Sequence, residues 1–264
     1  MTVHYVTYAT HFEGSLTNLI EQSNKKSIEI KVLGLGDKWI SFTQRFPAIL
    51  KFIQTLPDDH IVFAMDAFDV SINENANVSK AVDYFVKSGA GILFSYENTN
   101  SNIIYDYCTR KRQPNVEYVA NAGLYVGYVK YIKILLNSLI MNQYGCKDDQ
   151  IIINQVISKY PWVVVDSSEK LFKTYVGGGN YINKNEENTV LFIHRPGNVT
   201  FNRYLIRGFY ENAQFFLPEI TVIFIALSSF IVYLFKIPQK YYKYFILLYL
   251  IMFVYVDKSC VNLI

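Results

Sequence analysis

The sequence has few cysteines, little excess charge of either sign and no amino-terminal secretory pattern. Its three cysteines, Cys108, Cys146 and Cys260, are far apart and form no Cys-x-x-Cys pair, so we expect reduced thiols rather than a disulfide framework. The 25 basic and 22 acidic side chains nearly balance, which removes the electrostatic case for nucleic acid binding. The opening stretch MTVHYVTYATHFEG has neither the basic nor the apolar region of a signal peptide.

Charged residues are scarce near the end of the chain. The segments ITVIFIALSSFIVYLF (220–235) and YFILLYLIMFVYV (244–256) carry no charge, and the basic turn KIPQKYYK separates them. With their flanking residues, both approach the length of about 20 apolar residues that a membrane span needs. We therefore predict a C-terminal membrane anchor over residues 213–264, with transmembrane helices at about 216–236 and 241–257. A single long span followed by an interfacial tail is the alternative.

The first 212 residues alternate between strand and helix patterns. The predicted strands are 3–10, 28–36, 60–66, 90–97, 119–128, 162–166 and 189–197, and the predicted helices are 14–26, 46–56, 78–88, 129–143 and 148–160. Such alternation is typical of an α/β fold with a mostly parallel, twisted sheet and helices on both faces. In these sheets ligands bind beyond the carboxyl ends of strands, where Asp66, Glu97 and His194 all lie.

The stretch IVFAMDAFDV (61–70) ends an apolar strand on two acids. Asp66 and Asp69 can converge only if the chain turns after Asp66, because side chains alternate along a strand. Two convergent carboxylates suit Mg²⁺ or Mn²⁺, and His194 is a third potential ligand whose imidazole favours Mn²⁺. In the alternative interpretation Asp66 caps a turn, Asp69 is solvated and His194 is a structural hydrogen-bonding residue.

Two further motifs carry groups with possible chemistry. CKDDQ (146–150) precedes an apolar helix, so Asp148 or Asp149 could cap that helix, act as a base or face the hydroxyls of a sugar. NAGLYVG (121–127) supplies Gly123 and Gly127, which allow close approach of the backbone to a ligand.

Five motifs occur in the order found in one family: LGLGDKW (33–39), MDAFDV (65–70), NAGLYVGY (121–128), DDQ (148–150) and HRPGN (194–198). Together they resemble the glycosyltransferase domain of the procollagen lysyl hydroxylases, a GT-A-fold enzyme related to collagen galactosyl- and glucosyltransferases. The resemblance covers residues 3 to about 210. It implies a GT-A-like glycosyltransferase domain over residues 1–212.

The resemblance also implies a metal-dependent reaction, in which a hexose moves from a UDP-sugar to a protein hydroxyl such as hydroxylysine, or to a glycan. The implied ligands of Mn²⁺, with Mg²⁺ as the alternative ion, are Asp66, Asp69 and His194. Asp148 and Asp149 match the family's acidic run at the sugar or acceptor side and are the expected catalytic residues. The residues expected to contact the nucleotide sugar are Thr7, Asp66, Asn121, Gly123, Gly197 and Asn198.

The sequence departs from the family pattern in the helix before the metal strand, and two other functions stay open. The family's lysine in the helix before the metal strand aligns with Phe46, next to Arg45. A catalytically degenerate domain would serve as a membrane-tethered binding module. A sugar nucleotidyltransferase would need a glycine-rich, basic phosphate loop, which VTYATHFEG does not supply.

Two features of the sequence point to opposite sides of the membrane for the catalytic domain. The absent export signal and the unpaired cysteines favour a C-terminally anchored enzyme with its catalytic domain in the cytosol. The lumenal location is the alternative, because the positive-inside rule would put the basic turn between the two apolar segments in the cytosol.

Overall fold

The computed structural model describes residues 2–98, 117–175, 187–196 and 217–255. The chain forms two compact units, Met1–Asn198 and Val199–Ile264. The helices described in the first unit are α1 (Gly14–Lys25), α2 (Arg45–Ile53), α3 (Val78–Lys87), α4 (Val129–Asn142) and α5 (Asp149–Ile157). Its described strands are β1 (Val3–Tyr8), β2 (Ile30–Leu33), β3 (Ile61–Asp66), β4 (Val70–Ile72), β5 (Ile92–Tyr96), β6 (Ala120–Tyr128), β7 (Val163–Asp166), β8 (Phe172–Thr174) and β9 (Phe192–His194).

The main sheet has six strands in the order β2-β1-β3-β6-β5-β7. Strand β1 is parallel to β2 and β3, and β5 is parallel to β7, whereas β6 is antiparallel to both of its neighbours. The predicted α/β fold is confirmed, with a mixed sheet in which only β6 runs against the other five strands. The sequence did not indicate this reversal, because a strand buried on both faces reads as an apolar run in either direction.

A second sheet has three short strands in the order β4-β9-β8. Strand β4 pairs with β9 in antiparallel register, with Val70 opposite His194, and the backbone N–H of Arg195 donates to the carbonyl of Asp69 at 2.8 Å. We did not predict β4 or β8 as strands, because three residues are too few for an alternating pattern to be read. This small sheet nevertheless fixes which residues lie beside the end of β3.

The core lies on both faces of the main sheet. Along β3, Phe63 belongs to a buried cluster that includes Leu16 of α1 and Phe85 of α3. The next residue, Ala64, faces the other way and lies near Ile49 of α2. Because side chains alternate along a strand, apolar runs such as β3 bury both faces under helices, and each fully buried large side chain contributes about 1.5–3 kcal/mol.

The second unit contains helices α6 (Leu217–Phe235) and α7 (Tyr242–Tyr255), near the predicted positions. None of the helices in the described part of the chain is both long enough and apolar enough to cross a membrane. The prediction of transmembrane helices at about 216–236 and 241–257 is therefore not confirmed.

One cysteine corrects an expectation from the sequence. Cys146 is buried and disulfide-bonded, and its partner lies outside the described residues. The expectation of reduced thiols is therefore wrong for Cys146. Spacing along the chain could not reveal the bond, because pairing depends on distance in the fold.

Candidate active site

The site begins where β3 ends. The chain bends over residues 67–69 directly after Asp66 and then enters β4 at Val70. This bend is the turn that Asp66 and Asp69 need if their carboxylates are to converge. It turns Asp69 back toward Asp66, so both carboxylates lie at the carboxyl end of the same strand.

His194 completes a three-residue cluster. It is 2% exposed at the end of β9, and the β4–β9 pairing brings it beside the bend. Its Nε2 lies 3.2 Å from Asp69 Oδ1 and 3.6 Å from Asp66 Oδ2. One ligand atom from each of the three residues lies within 4.8 Å of the others. The structure thus brings together the three ligands that we predicted.

Gly123 leaves the room that this cluster occupies. A Cβ atom at Gly123 would lie 2.3 Å from His194 Cε1 and 2.6 Å from Asp66 Oδ2. We expected Gly123 to let the backbone approach a nucleotide sugar. In the structure the close approach is to His194 and Asp66 themselves, so no larger residue fits without moving them.

Asn121 lies behind His194 rather than in the open part of the site. It is 2% exposed, and its Oδ1 is 2.9 Å from His194 Nδ1. Its Nδ2 donates to the carboxylate of Glu97, which is also buried. We expected Asn121 to contact the nucleotide sugar, but its described hydrogen bonds go to protein groups. We had noted Glu97 at a strand end, although no local pattern indicated its partner.

Arg45 connects the cluster to the acids at the start of α5. Its side chain is 11% exposed; one guanidinium nitrogen pairs with Asp66, and the other pairs with Asp149 and donates to the Ala122 carbonyl at 2.9 Å. Phe46, which we aligned with the family's lysine, is instead buried in the core. We had not chosen Arg45 as a site residue; the signal available was its position next to Phe46, the residue that we aligned with the family's lysine.

Asp148 and Asp149 have different roles in the structure. Asp148 is the N-cap of α5, and its side chain accepts from the backbone N–H of Ile151 at 3.1 Å. Asp149 is buried and paired with Arg45. The amide of Asn154 bonds to both backbone groups of Ala120, which holds α5 against β6. Of the two acids, Asp149 is therefore the one that reaches the site.

Charges within the site shift the pKa values of its members. Burial lowers the pKa of His194, but the charges of Asp69 and Asp66 outweigh it and raise that pKa above its ordinary value. Burial raises the pKa of Asp149 to about 6, against the opposing effect of Arg45. The negative charges of Asp69 and Asp66 beside a buried imidazole also favour a cation at this position.

Three other residues were expected to contact the nucleotide sugar. Thr7 is fully buried, and its hydroxyl donates to the carbonyl of Met65 at 2.8 Å. The hydroxyl of Thr7 is therefore already bonded within the protein, and its contact with the nucleotide sugar stays a prediction. Gly197 and Asn198 lie outside the described residues.

A cleft opens beside the site at the carboxyl ends of β1 and β2. Its lining includes Tyr8, Gly34, Asp37 and Lys51. Tyr8 is the register partner of Asp66, and its hydroxyl donates to Asp37 at 3.1 Å. Gly34 has a φ of +79°, and a Cβ there would meet the Tyr8 ring at 2.3 Å. The cleft thus begins next to the predicted metal ligands.

The three cluster residues fit a hard divalent cation. Two carboxylates and one imidazole are donors that Mn²⁺ accepts, and the imidazole is less suited to Mg²⁺. Ligands about 2.1 Å from an ion lie at most about 4.2 Å apart, so the cluster needs only a small contraction. The buried Nε2 of His194 faces the carboxylates of Asp69 and Asp66, at 3.2 Å and 3.6 Å. That atom is the one a cation would use.

Comparison with known proteins gives one family. The profile of the PLOD GT domain matches residues 1–195, a range that contains the cluster and Asp149. No curated protein sequence matches the chain significantly.

The solved structures that are similar to this chain include two glycosyltransferases. One is a glycosyltransferase involved in the glycosylation of the major capsid of PBCV-1, with 12% identity and a TM-score of 0.48 over 75% of this chain and 95% of that chain. The other is the galactosyltransferase LgtC in complex with donor and acceptor sugar analogues, with 14% identity and a TM-score of 0.46 over 74% of this chain and 87% of that chain.

Proposed function

The chain belongs to the PLOD GT domain family and is a glycosyltransferase, and from that premise we propose that it moves a hexose from a UDP-sugar in a reaction that depends on Mn²⁺. The acceptor in this proposal is a protein hydroxyl of the hydroxylysine type, with a glycan hydroxyl as the second possibility. Family membership supports the transfer. The cluster of Asp66, Asp69 and His194 supports the metal requirement.

The observation that carries the proposal is the convergence of this cluster at the carboxyl end of β3. Ligands of α/β sheets bind at such ends. A divalent cation held there supplies the charge neutralisation that a departing diphosphate needs. The adjoining cleft at β1 and β2 supports a nucleotide site, because it opens from Tyr8, directly beside Asp66.

Asp149 has the environment of a group that handles a proton or a sugar hydroxyl. It is buried, it is held by Arg45, and its pKa of about 6 keeps it ionised at neutral pH while leaving it able to accept a proton. We propose that Asp149 orients or deprotonates a hydroxyl at the sugar or acceptor side. Asp148, expected from the sequence as a second catalytic acid, serves in this proposal as the helix cap.

A nucleotide-sugar hydrolysis screen tests the proposal. The chain is incubated with a panel of UDP-hexoses, with and without Mn²⁺, and released UDP is measured. We expect Mn²⁺-dependent release from at least one UDP-hexose, and its loss in Asp69→Ala. The matched control is Asp59→Ala, which changes an exposed aspartate and should leave release unchanged. Equal release with and without Mn²⁺ would contradict the metal requirement.

The two rival functions receive less support. The nucleotidyltransferase interpretation is wrong, because the chain belongs to a glycosyltransferase family. A degenerate domain would be expected to have lost part of the cation site. Here all three candidate ligands are present and close together, which favours an active enzyme over a binding module.

We also propose that the second unit attaches the enzyme to a lipid surface. Both helices expose large apolar side chains on several sides, including Ile223, Phe230 and Leu234 on α6 and Ile246 and Leu247 on α7. Such extensive apolar exposure is unfavourable in water and favourable against acyl chains. Flotation with vesicles tests this proposal, and a chain cut before residue 213 should stay unbound.

The compartment is a separate proposal. The disulfide at Cys146 supports the lumenal alternative over the cytosolic expectation, because disulfides persist in oxidising compartments. Protease treatment of sealed microsomes tests it. Residues 1–210 should stay protected until detergent is added, and cleavage without detergent would restore the cytosolic location.

A further inference from the structure

We propose that Glu97 and Asn121 are positioning residues that hold His194 in the one tautomer and orientation in which Nε2 faces the cation site. The inference rests on the proposed metal-dependent function and extends it beyond the three ligands. It is carried by the hydrogen bonds that run from Glu97 through Asn121 to His194.

The first step is the orientation of the Asn121 amide. Its Oδ1 accepts the backbone N–H of Gly123 at 2.8 Å, and a backbone N–H can only donate. Its Nδ2 donates to the carboxylate of Glu97. Both contacts would be lost if the amide turned over, so the oxygen must face His194.

The second step follows for the imidazole. Nδ1 of His194 lies 2.9 Å from an oxygen that accepts, so Nδ1 must carry the hydrogen. In a neutral imidazole the other nitrogen, Nε2, then carries the lone pair. Nε2 is the atom that lies near Asp66 and Asp69. Histidine ligands of metals are commonly fixed in this way by a group behind the ring.

The third step explains why Asn121 can reach His194. The pairing of β5 with β6 shifts its register between Phe94 and Ser95, so Ser95 lies opposite Asn121 although Phe94 lies opposite Tyr125. Such irregularities redirect side chains near functional sites. Here the extra residues of β6 include Gly123, whose N–H holds the amide and whose missing Cβ admits the ring.

The experiment measures binding of Mn²⁺ alone by calorimetry, without nucleotide. Asn121→Ala removes the acceptor behind the ring and should weaken Mn²⁺ binding by about 10–100-fold, the usual effect of losing a partner of a metal-binding histidine. The double variant Asn121→Asp with Glu97→Gln exchanges the amide and the acid but keeps the hydrogen-bond pattern and the net charge. It should bind Mn²⁺ at least as tightly as the wild type.

The control is Asn77→Ala. Asn77 caps α3, and its Oδ1 also accepts a backbone N–H, from Lys80. This variant should lower the thermal unfolding temperature without changing Mn²⁺ affinity. A purely structural role for Asn121 predicts the same result for Asn121→Ala.

The outcomes separate this inference from the function on which it rests. If Asn121→Ala binds Mn²⁺ as the wild type does, or if the exchanged pair binds as poorly as Asn121→Ala, the positioning role is overturned. If Asn121→Ala does not fold, the exchanged pair decides alone, since tight binding supports the role and weak binding overturns it. If the wild type binds no Mn²⁺, or His194→Ala changes nothing, the metal site itself is wrong.

Discussion

Removal of the Arg45 guanidinium should destabilise the fold by an amount that depends on pH. Arg45→Met keeps the length and apolar stem of the side chain but leaves Asp149 buried without its partner and Asp66 without one of its contacts. Breaking a buried ion pair from one side costs about 3–5 kcal/mol, because a charge stays buried without compensation. Most of this cost comes from Asp149, since Asp66 is about one third exposed and can be rehydrated.

The pH dependence follows from the pKa of Asp149. Burial already raises this pKa to about 6, above its ordinary carboxyl value, and loss of Arg45 raises it further. Because this carboxyl pKa is higher in the folded state than in the unfolded state, protonation of Asp149 favours folding. The stability that this group contributes is fully present below the unfolded-state pKa and is lost as the pH rises through the folded-state pKa. At pH 5 Asp149 is mostly protonated with or without Arg45. The difference between wild type and variant should therefore be largest near pH 8 and small near pH 5.

Urea unfolding of both proteins at pH 8 and pH 5, in EDTA, measures this difference. The double variant Arg45→Met with Asp149→Asn is the control, because it removes both charges and should be less destabilised at pH 8 than Arg45→Met alone. A loss of less than about 1 kcal/mol at pH 8, the size typical of an exposed pair, would refute the reasoning. An equal loss at both pH values would refute it as well.

Three further predictions concern single residues of the site. Asp149→Asn should reduce turnover by about 10²–10⁴-fold with little change in UDP affinity, and near-normal turnover would exclude Asp149 from catalysis. Wild-type turnover should rise as the pH passes upward through about 6, because a base must be unprotonated to act. Asp148→Ala should cost about 1 kcal/mol in urea unfolding because Ile151 loses its cap, yet keep its turnover, and a collapse of turnover would show that Asp148 does more than cap. Gly123→Ala should abolish Mn²⁺ binding in calorimetry, since the added Cβ meets His194 at 2.3 Å, and retained binding would mean that the ring can move aside.

The elements of the main sheet and most of the helices could be predicted from the sequence, because their apolar periods are long. The observed ends differ by a few residues, as at α2, which was predicted at 46–56 and runs from Arg45 to Ile53. The strands of the second sheet could not be predicted, because three residues carry no readable period. That sheet sets His194 beside Asp69, so the arrangement of the site depended on pairing that no local pattern encodes.

The convergence of Asp66, Asp69 and His194 could be predicted because strands of such folds present their carboxyl ends at one edge. Arg45, Glu97 and the position of Asn121 could not. Their contacts join residues far apart in the chain, and they depend on how α2, β5 and β6 meet.

One error has a clear physical cause. Cys146 was taken as a free thiol because no second cysteine lies near it in sequence.

Calorimetry of UDP binding with and without Mn²⁺ tests the central claim most directly. The three proteins compared are the wild type, Asp69→Ala and the exposed control Asp59→Ala. If Asp66, Asp69 and His194 hold the cation that binds the diphosphate, the wild type and Asp59→Ala should bind UDP only when Mn²⁺ is present, and Asp69→Ala should not bind it in either condition. Unchanged Mn²⁺-dependent binding of UDP by a folded Asp69→Ala would contradict the account.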